Sequence, residues 1–197
     1  MADITGTYEL GPGAGRVLVR TGREGLAARA GHDLAIEITR WSARVTIPGA
    51  DGGGIAAATL TAELDLASLA VREGTGGAKP LTDRDRRDIQ GQARKILGDP
   101  AKASFIAARI IPSSSAPAAN GAIEGSLTLH GRSQPVRLQV VSSAPGRYRG
   151  SGTVRQTDFG ITPYSGFFGA LKLKNEVTVE FDVTIEVKNQ ELRNGSA

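Results

Sequence analysis

At 197 residues, the chain is long enough for one large domain or two small ones, and all-β proteins of this size are commonly single domains. It contains no cysteine, which excludes a disulfide framework and a thiolate metal site. The formal net charge is +4, but 24 basic and 20 acidic residues are interspersed and 5% of residues are aromatic. We therefore expect a mildly basic, solvated surface and no nucleic-acid interface.

The sequence has no stretch typical of export or of a membrane span. The first ten residues lack a basic region followed by an apolar one, so we expect no signal peptide and a cytoplasmic protein. No run approaches the roughly 18 apolar residues that a transmembrane helix needs. The net positive charge also suits transient contact of the surface with a membrane.

Alternating segments dominate the chain before residue 70. Apolar side chains recur at every second position in them, which is the period of a half-buried strand. The predicted strands are residues 7–10, 16–20, 35–47 and 58–66. Within 35–47 the apolar phase changes between Ile38 and Trp41. This change predicts a bulge near Thr39 and Arg40 in a strongly bent strand.

One segment, Asp83–Leu97, is predicted to be a helix. Thr82 is a good N-cap, acidic residues lie in the first turn, and Gly98 ends the segment. The helix has a narrow apolar stripe, which consists of Ile89, Ala93, Ile96 and Leu97. A stripe of this kind predicts that the helix covers a sheet face or the mouth of a barrel.

The clearest pattern in the second half is a hairpin of residues 124–129 and 136–141. We expect the polar residues from His130 to Pro135 to form its turn, with Gly131 at a positive φ and Pro135 at the start of the return strand. Further strands are predicted over residues 103–111, 148–156 and 176–187. The first of these has apolar residues on both faces, so we expect its outer side to be covered.

Together these patterns predict an all-β protein of about eight strands and one main helix. So many amphipathic strands leave edges that are best removed by closure into an antiparallel β-barrel. We expect residues 1–188 to form this single domain and the polar residues 189–197 to be a disordered tail.

Several motifs, in the same order, resemble the YceI-like, polyisoprenoid-binding family. SLTLHGRSQPVRLQV (126–140) is similar to that family's hairpin, and GTYEL (6–10) to its opening strand. ILGDPAKASF (96–105) resembles its transition from helix to strand, TVRQTDFGI (153–161) its R-x-D-F-G-I segment, and NEVTVEFDVTIEV (175–187) its last strand.

The resemblance implies an extended lipocalin-like antiparallel β-barrel that is closed at one end by a helix. It implies binding, transport or storage of a long-chain isoprenoid or fatty-acyl lipid inside the barrel, without catalysis and with no cofactor other than that lipid. Several members of the family pair, so a homodimer is a further implication.

The predicted ligand site is the apolar interior and mouth of the barrel. Inward strand residues and a glycine-flanked aromatic loop would line it. These residues are Ile38, Trp41, Leu60, Leu64, Phe105, Leu127, Leu129, Leu138, Val140, Phe159, Tyr164, Phe167, Phe168, Val179 and Phe181. The same strand residues also suit an ordinary filled core. Tyr164, Phe167 and Phe168 suit either a gate at the mouth or packing over the barrel end.

Two other functions compete with lipid binding. His32 and Asp33 form a pair that suits an oriented base in an enzyme acting on a lipid, but no G-x-S-x-G nucleophile motif accompanies them. A structural hydrogen-bonding role for His32 and a turn position for His130 are favoured, and we predict no metal site. The second alternative is a protein-interaction module with a filled core and basic outer strands.

Overall fold

The computed structural model describes residues 4–98, 101–112, 120–144 and 146–186. Most of these residues lie in strands. The strands are β1 (Gly6–Leu10), β2 (Gly15–Thr21), β3 (Arg23–Glu24), β4 (Asp33–Ile38), β5 (Trp41–Ile47), β6 (Thr59–Asp65), β7 (Leu69–Thr75), β8 (Lys102–Pro112), β9 (Asn120–Leu129), β10 (Arg132–Ala144), β11 (Arg147–Arg155), β12 (Ser165–Gly166), β13 (Leu171–Leu173) and β14 (Glu176–Thr184). The α-helix, α1, is Asp83–Leu97. Short 3₁₀ helices include Gln156–Phe159 and Phe167–Gly169.

Eleven strands form one antiparallel sheet in the order β1-β5-β6-β8-β9-β10-β11-β14-β2-β4-β7, and a small sheet has the order β12-β13-β3. The large sheet curls into a half-barrel. The chain crosses between the two edges of this sheet twice, because β4, near one edge, continues into β5, near the other, and β6 continues in the same way into β7. The all-β, lipocalin-like prediction is confirmed. The predicted number of about eight strands is too low, because residues 35–47 divide at a bend, the seven-residue strand β7 was not predicted, and the shortest strands show no alternation. The predicted tail, 189–197, lies outside the described residues.

The bend between β4 and β5 is held by side-chain hydrogen bonds. The Ser68 hydroxyl accepts a hydrogen bond from the backbone N–H of Arg40 (2.9 Å) and donates one to the carbonyl oxygen of Asp65 (2.6 Å). The Arg40 guanidinium also donates to the Asp65 carboxylate (2.9 Å). The predicted change of phase is confirmed, since Ile38 and Trp41 are both buried on the inner side.

Replacing Ser68 tests whether these hydrogen bonds hold the bend. Ser68 is 6% exposed, and Ser68→Ala leaves the part-buried N–H of Arg40 without its acceptor. We expect the free energy of unfolding to fall by about 1–3 kcal/mol in urea titrations. Ser42→Ala, at an exposed position of β5, is the control and should change it by less than about 0.5 kcal/mol. Equal effects of the two variants would contradict this account of the bend.

Helix α1 covers one end of the half-barrel. It begins with a capping box, in which the Thr82 hydroxyl accepts from the N–H of Asp85 (3.2 Å) and the Asp85 carboxylate accepts from the N–H of Thr82 (2.9 Å). Arg86 ties the helix to the edge strand β7 by donating to the carbonyl oxygens of Val71 (3.0 Å) and Arg72 (2.8 Å). The predicted helix is therefore confirmed with its bounds. No helix within the described residues is long and apolar enough to cross a membrane.

The hairpin between β9 and β10 turns in two residues, not the six predicted. His130 and Gly131 both have positive φ (54° and 72°), as in the type I′ turn that matches the twist of paired strands. The next four residues therefore belong to β10. Pro135, which we expected to begin that strand, lies opposite Ser126 within it. The absence of an N–H at Pro135 costs no hydrogen bond between strands. The backbone nitrogen of Pro135 faces away from β9, and on its other side β10 pairs with β11 only from Gln139 onward.

Strand β8 has apolar residues on both faces, and its outer face is not covered as we expected. Ile106 is 59% exposed, because α1 packs beside β7 and does not extend over the outer face of β8. A register shift between Ala107 and Arg109 changes the phase of the strand, so that Ile110 lies opposite Ile123 and lines the interior. The prediction that the outer side is covered is therefore wrong.

Arginines on the outer face pair with carboxylates on neighbouring strands. Arg109 and Arg137 both bond the carboxylate of Glu124, and Arg147 and Arg149 both bond that of Asp182. The hydrogen bond from Arg109 is the main cause that lowers the pKa of Glu124, and Arg147 has the same effect on the pKa of Asp182. Much of the basic charge is therefore placed in pairs across the outer surface.

These pairs make stability depend on pH. Because the pKa of Asp182 is lower in the folded state than in the unfolded chain, its stabilising effect is present above the unfolded pKa and is lost as pH falls through the folded pKa. We expect Asp182→Asn to lower the free energy of unfolding by about 0.5–1 kcal/mol at neutral pH, and this difference from the wild type to vanish in acid. Urea titrations across pH measure it.

Glu63→Gln is the control, since exposed Glu63 on β6 forms no ion pair among the described residues. A difference between Asp182→Asn and the wild type that stays constant down to the lowest pH would contradict the assignment.

Candidate functional site

The half-barrel and α1 enclose a cavity of about 1150 Å³. Every strand of the large sheet contributes inward side chains to its wall, and nearly all of the wall is apolar. The volume exceeds the roughly 300–1,000 Å³ of ordinary small-molecule sites. The cavity is therefore large enough for a long ligand.

The inward side chains at the centre of the strands do not fill this space. Leu60, Leu127, Leu138 and Val179 point inward yet are only half-buried, because they face the cavity. They pack at the edges of two buried clusters, one that includes Trp41 and one that includes Phe159. An ordinary close-packed core leaves few voids larger than a water molecule. The interior is therefore lined, not filled.

Glycines in the strands make room for aromatic rings at the wall. A β-carbon at Gly125 would overlap the ring of Phe105 on β8, and one at Gly150 would overlap the ring of Phe181 on β14. Each ring therefore packs directly against the glycine of the adjacent strand, in space that the side chain of any larger residue at that glycine would take. The sequence reasoning missed this role, although the signal is visible as single glycines inside strand patterns.

The two ends of the cavity differ in polarity. The helix covers its end of the cavity only in part, since exposed residues such as Lys79 and Asp85 line the cavity there, and we call this end the mouth. The mouth carries most of the polar lining residues, which are Thr21, His32, Lys79, Asp85, Asp88, Gln92, Gln156 and Tyr164. The opposite end is mainly apolar and includes Ile4, Ile47, Ile110, Val183 and Ile185. Tyr148 lies at this end, where burial raises the pKa of its hydroxyl, so that the hydroxyl stays protonated at neutral pH. The cavity is thus amphipathic along its length.

The structure brings together most of the predicted site residues. The residues that line the cavity are Ile38, Trp41, Leu60, Leu64, Phe105, Leu127, Leu129, Leu138, Val140, Tyr164, Phe167, Val179 and Phe181. Two others lie elsewhere. Phe159 is 1% exposed and is packed in a buried cluster, because the 3₁₀ helix Gln156–Phe159 turns its ring into the core. Phe168 is fully exposed and points away from the cavity.

His32 and Asp33, the candidate general base of an enzyme and its partner, form hydrogen bonds with backbone groups. His32 Nε2 lies 2.7 Å from the carbonyl oxygen of Lys79, and Asp33 Oδ1 accepts a hydrogen bond from the N–H of Arg23 (2.8 Å). His32 lines the mouth, where its bond to Lys79 positions the loop that leads into α1. Both side chains thus have structural partners. No group of three or more His, Asp and Glu within the described ranges is placed to hold a metal ion.

A curled antiparallel sheet, one helix over its end and a large apolar cavity define a lipocalin-like β protein with an internal binding space. The chain belongs to the YceI-like family, because the model of the YceI-like domain matches residues 30–185. The resemblance seen in the hairpin, DFGI and last-strand motifs is therefore confirmed.

Solved structures support the same fold. BcnA from Burkholderia cenocepacia has a TM-score of 0.55 at 17% identity, with 86% of this chain and 96% of that chain covered. A polyisoprenoid-binding domain from Saccharophagus degradans, described as implicated in plant cell wall breakdown, has a TM-score of 0.53 at 11% identity, with 93% and 99% covered. No curated protein sequence matches the chain. At these identities the likeness concerns the fold.

Proposed function

We propose that the protein binds a long-chain isoprenoid or fatty-acyl lipid in its cavity without catalysis, for transport or storage. The observation that carries this proposal is the set of inward apolar side chains that are only half-buried around a cavity of about 1150 Å³. The S. degradans domain of similar fold is described as polyisoprenoid-binding, which supports the same ligand class. The implied homodimer and the cytoplasmic location stay predictions.

Free-energy arguments favour an apolar occupant. A cavity of about 1150 Å³ held empty would leave the side chains of its whole wall without packing partners on one side. At about 30 Å³ each, roughly 38 water molecules would fill it, with few hydrogen-bond partners along an apolar wall. An aliphatic chain has neither cost.

The polarity of the cavity orients such a ligand. The apolar end takes the tail, and the mouth places a polar head group among side chains such as His32 and Tyr164. At about 0.8 kcal/mol per buried CH₂, one five-carbon isoprene unit contributes about 4 kcal/mol before association costs of about 4–15 kcal/mol. A few units therefore suffice for binding. No reacting group is needed, and His32 and Asp33 already have backbone partners.

A fluorescence titration tests the proposal. Trp41, the single tryptophan, lines the cavity and reports on its occupant. We expect added polyprenol or long-chain fatty acid to change its emission saturably after delipidation. Fluorescence that responds to neither, in protein shown to be folded and empty, would overturn the proposal and favour an interaction module.

A further inference from the structure

Three large apolar side chains stand exposed beside the mouth. Phe167 is 66% exposed, and Phe168 and Leu26 are fully exposed. The segments that carry them lie together, since the N–H of Ala27 donates to the carbonyl oxygen of Ala170 (2.9 Å). Phe167 also lines the cavity at this end. We call Leu26, Phe167 and Phe168 the apolar rim.

The backbone holds the rim residues outward. Phe167 and Phe168 have φ of 49° and 56°, a left-handed conformation that costs free energy for residues with a β-carbon. Two hydrogen bonds keep this loop in place. The N–H of Ala170 donates to the carbonyl oxygen of Phe167 (3.1 Å), and the N–H of Leu173 donates to the carbonyl oxygen of Tyr164 (3.0 Å). Backbone strain of this kind is concentrated at functional sites, which makes this loop a candidate binding surface.

Cations flank the apolar rim. Exposed basic residues of the small sheet and of the loops at the mouth are Arg29, Lys79, Lys172 and Lys174. Within the described part of the chain none of them forms an ion pair with a carboxylate, unlike the arginines of the outer face. The carboxylates nearby are Glu24, opposite Lys172 in the small sheet, Asp33, which is paired with Arg23, and Asp85 and Asp88 on the α1 side of the mouth. The rim side of the mouth is therefore both apolar and net positive.

We propose that the apolar rim and its flanking cations dock the protein on an anionic lipid bilayer, so that a lipid passes between the bilayer and the cavity at Phe167. Apolar side chains that enter the interface, surrounded by lysine and arginine, are the combination that binds negatively charged membranes. Passage of the lipid rests on the proposed function, whereas docking does not. Phe167 joins the two surfaces, since it belongs to the rim and also lines the cavity.

Flotation of the protein with vesicles tests docking. Wild-type protein is expected to float with phosphatidylserine-containing vesicles more than with phosphatidylcholine alone, and less at high salt. Leu26→Ser with Phe168→Ser, both outside the cavity wall, should weaken this binding at least about tenfold. Ile106→Ser is the matched control, because it removes an exposed apolar side chain from the outer face of β8, and should bind as the wild type does.

The outcomes separate docking from the proposed function. Wild-type protein that takes up polyprenol from ethanol, by Trp41 fluorescence, but does not float with anionic vesicles overturns docking and leaves lipid binding intact. Protein that floats but never takes up lipid supports docking and removes the proposed function. If Leu26→Ser with Phe168→Ser turns a dimer into a monomer and leaves flotation unchanged, the rim is an interface between copies and docking is overturned.

Discussion

Narrowing the cavity with two phenylalanines is expected to weaken lipid binding about 100-fold while the protein stays folded. Ala62 on β6 and Val179 on β14 are half-buried and line the cavity wall. Rings at these positions exclude at least about four CH₂ groups of a ligand, or roughly 3 kcal/mol, which corresponds to an affinity loss of about 100-fold. Ala62→Phe with Val179→Phe keeps Trp41 as the reporter of binding.

The stability of this variant distinguishes a lined cavity from a filled core. In a filled core, two added rings would overpack and cost about 1–3 kcal/mol each, whereas in open space they cost little. Thr61→Phe with Thr178→Phe places the same rings one position earlier on each strand, on the outer face, and should leave lipid affinity unchanged. Unchanged lipid affinity in the inward variant would contradict the cavity as the binding site.

Phe159→Ala is expected to have the largest effect on stability. Its ring is 1% exposed in a buried cluster outside the cavity wall. Truncation of such a ring lowers the free energy of unfolding by about 3–5 kcal/mol, a large part of a typical 5–15 kcal/mol. Urea titration measures the loss, and Phe168→Ala, at a fully exposed ring, should change stability by less than about 0.5 kcal/mol.

This pair of variants also tests the placement of Phe159. A ligand contact, as the sequence suggested, would lose lipid affinity on truncation while stability fell little. The structure leads to the opposite expectation, with a large loss of stability in Phe159→Ala and unchanged lipid affinity in the fraction that remains folded. Loss of lipid affinity without loss of stability in Phe159→Ala would contradict the buried placement and show that Phe159 contacts the ligand.

Local patterns carried much of the fold. The inward parity of Leu127 and Leu129 follows from period-two alternation, and both line the cavity. The bounds of Asp83–Leu97 follow from its cap and its glycine stop, and the structure has the same bounds. The change of phase between Ile38 and Trp41 predicted the bend in the strand. Each of these features leaves a pattern within a few consecutive residues, which is why the local sequence suffices to predict it.

Features set by backbone conformation or by the whole sheet were not predictable in this way. The two-residue turn depends on a left-handed His130, which few non-glycine residues adopt. In the sequence, Phe159 and Phe168 both look like aromatic residues of loops. One is buried and the other is exposed because of backbone angles that no sequence pattern encodes. Whether the interior is filled depends on the curvature of eleven strands, which no single strand determines.

Mass spectrometry of an organic extract from gently purified protein tests the central claim most directly. Wild-type protein is expected to yield a prenyl or acyl species at about one molecule per chain, and Ala62→Phe with Val179→Phe to yield much less of it. The outward variant, Thr61→Phe with Thr178→Phe, should yield the same species as the wild type. An empty extract from protein that also fails to take up added polyprenol would contradict lipid binding in this cavity.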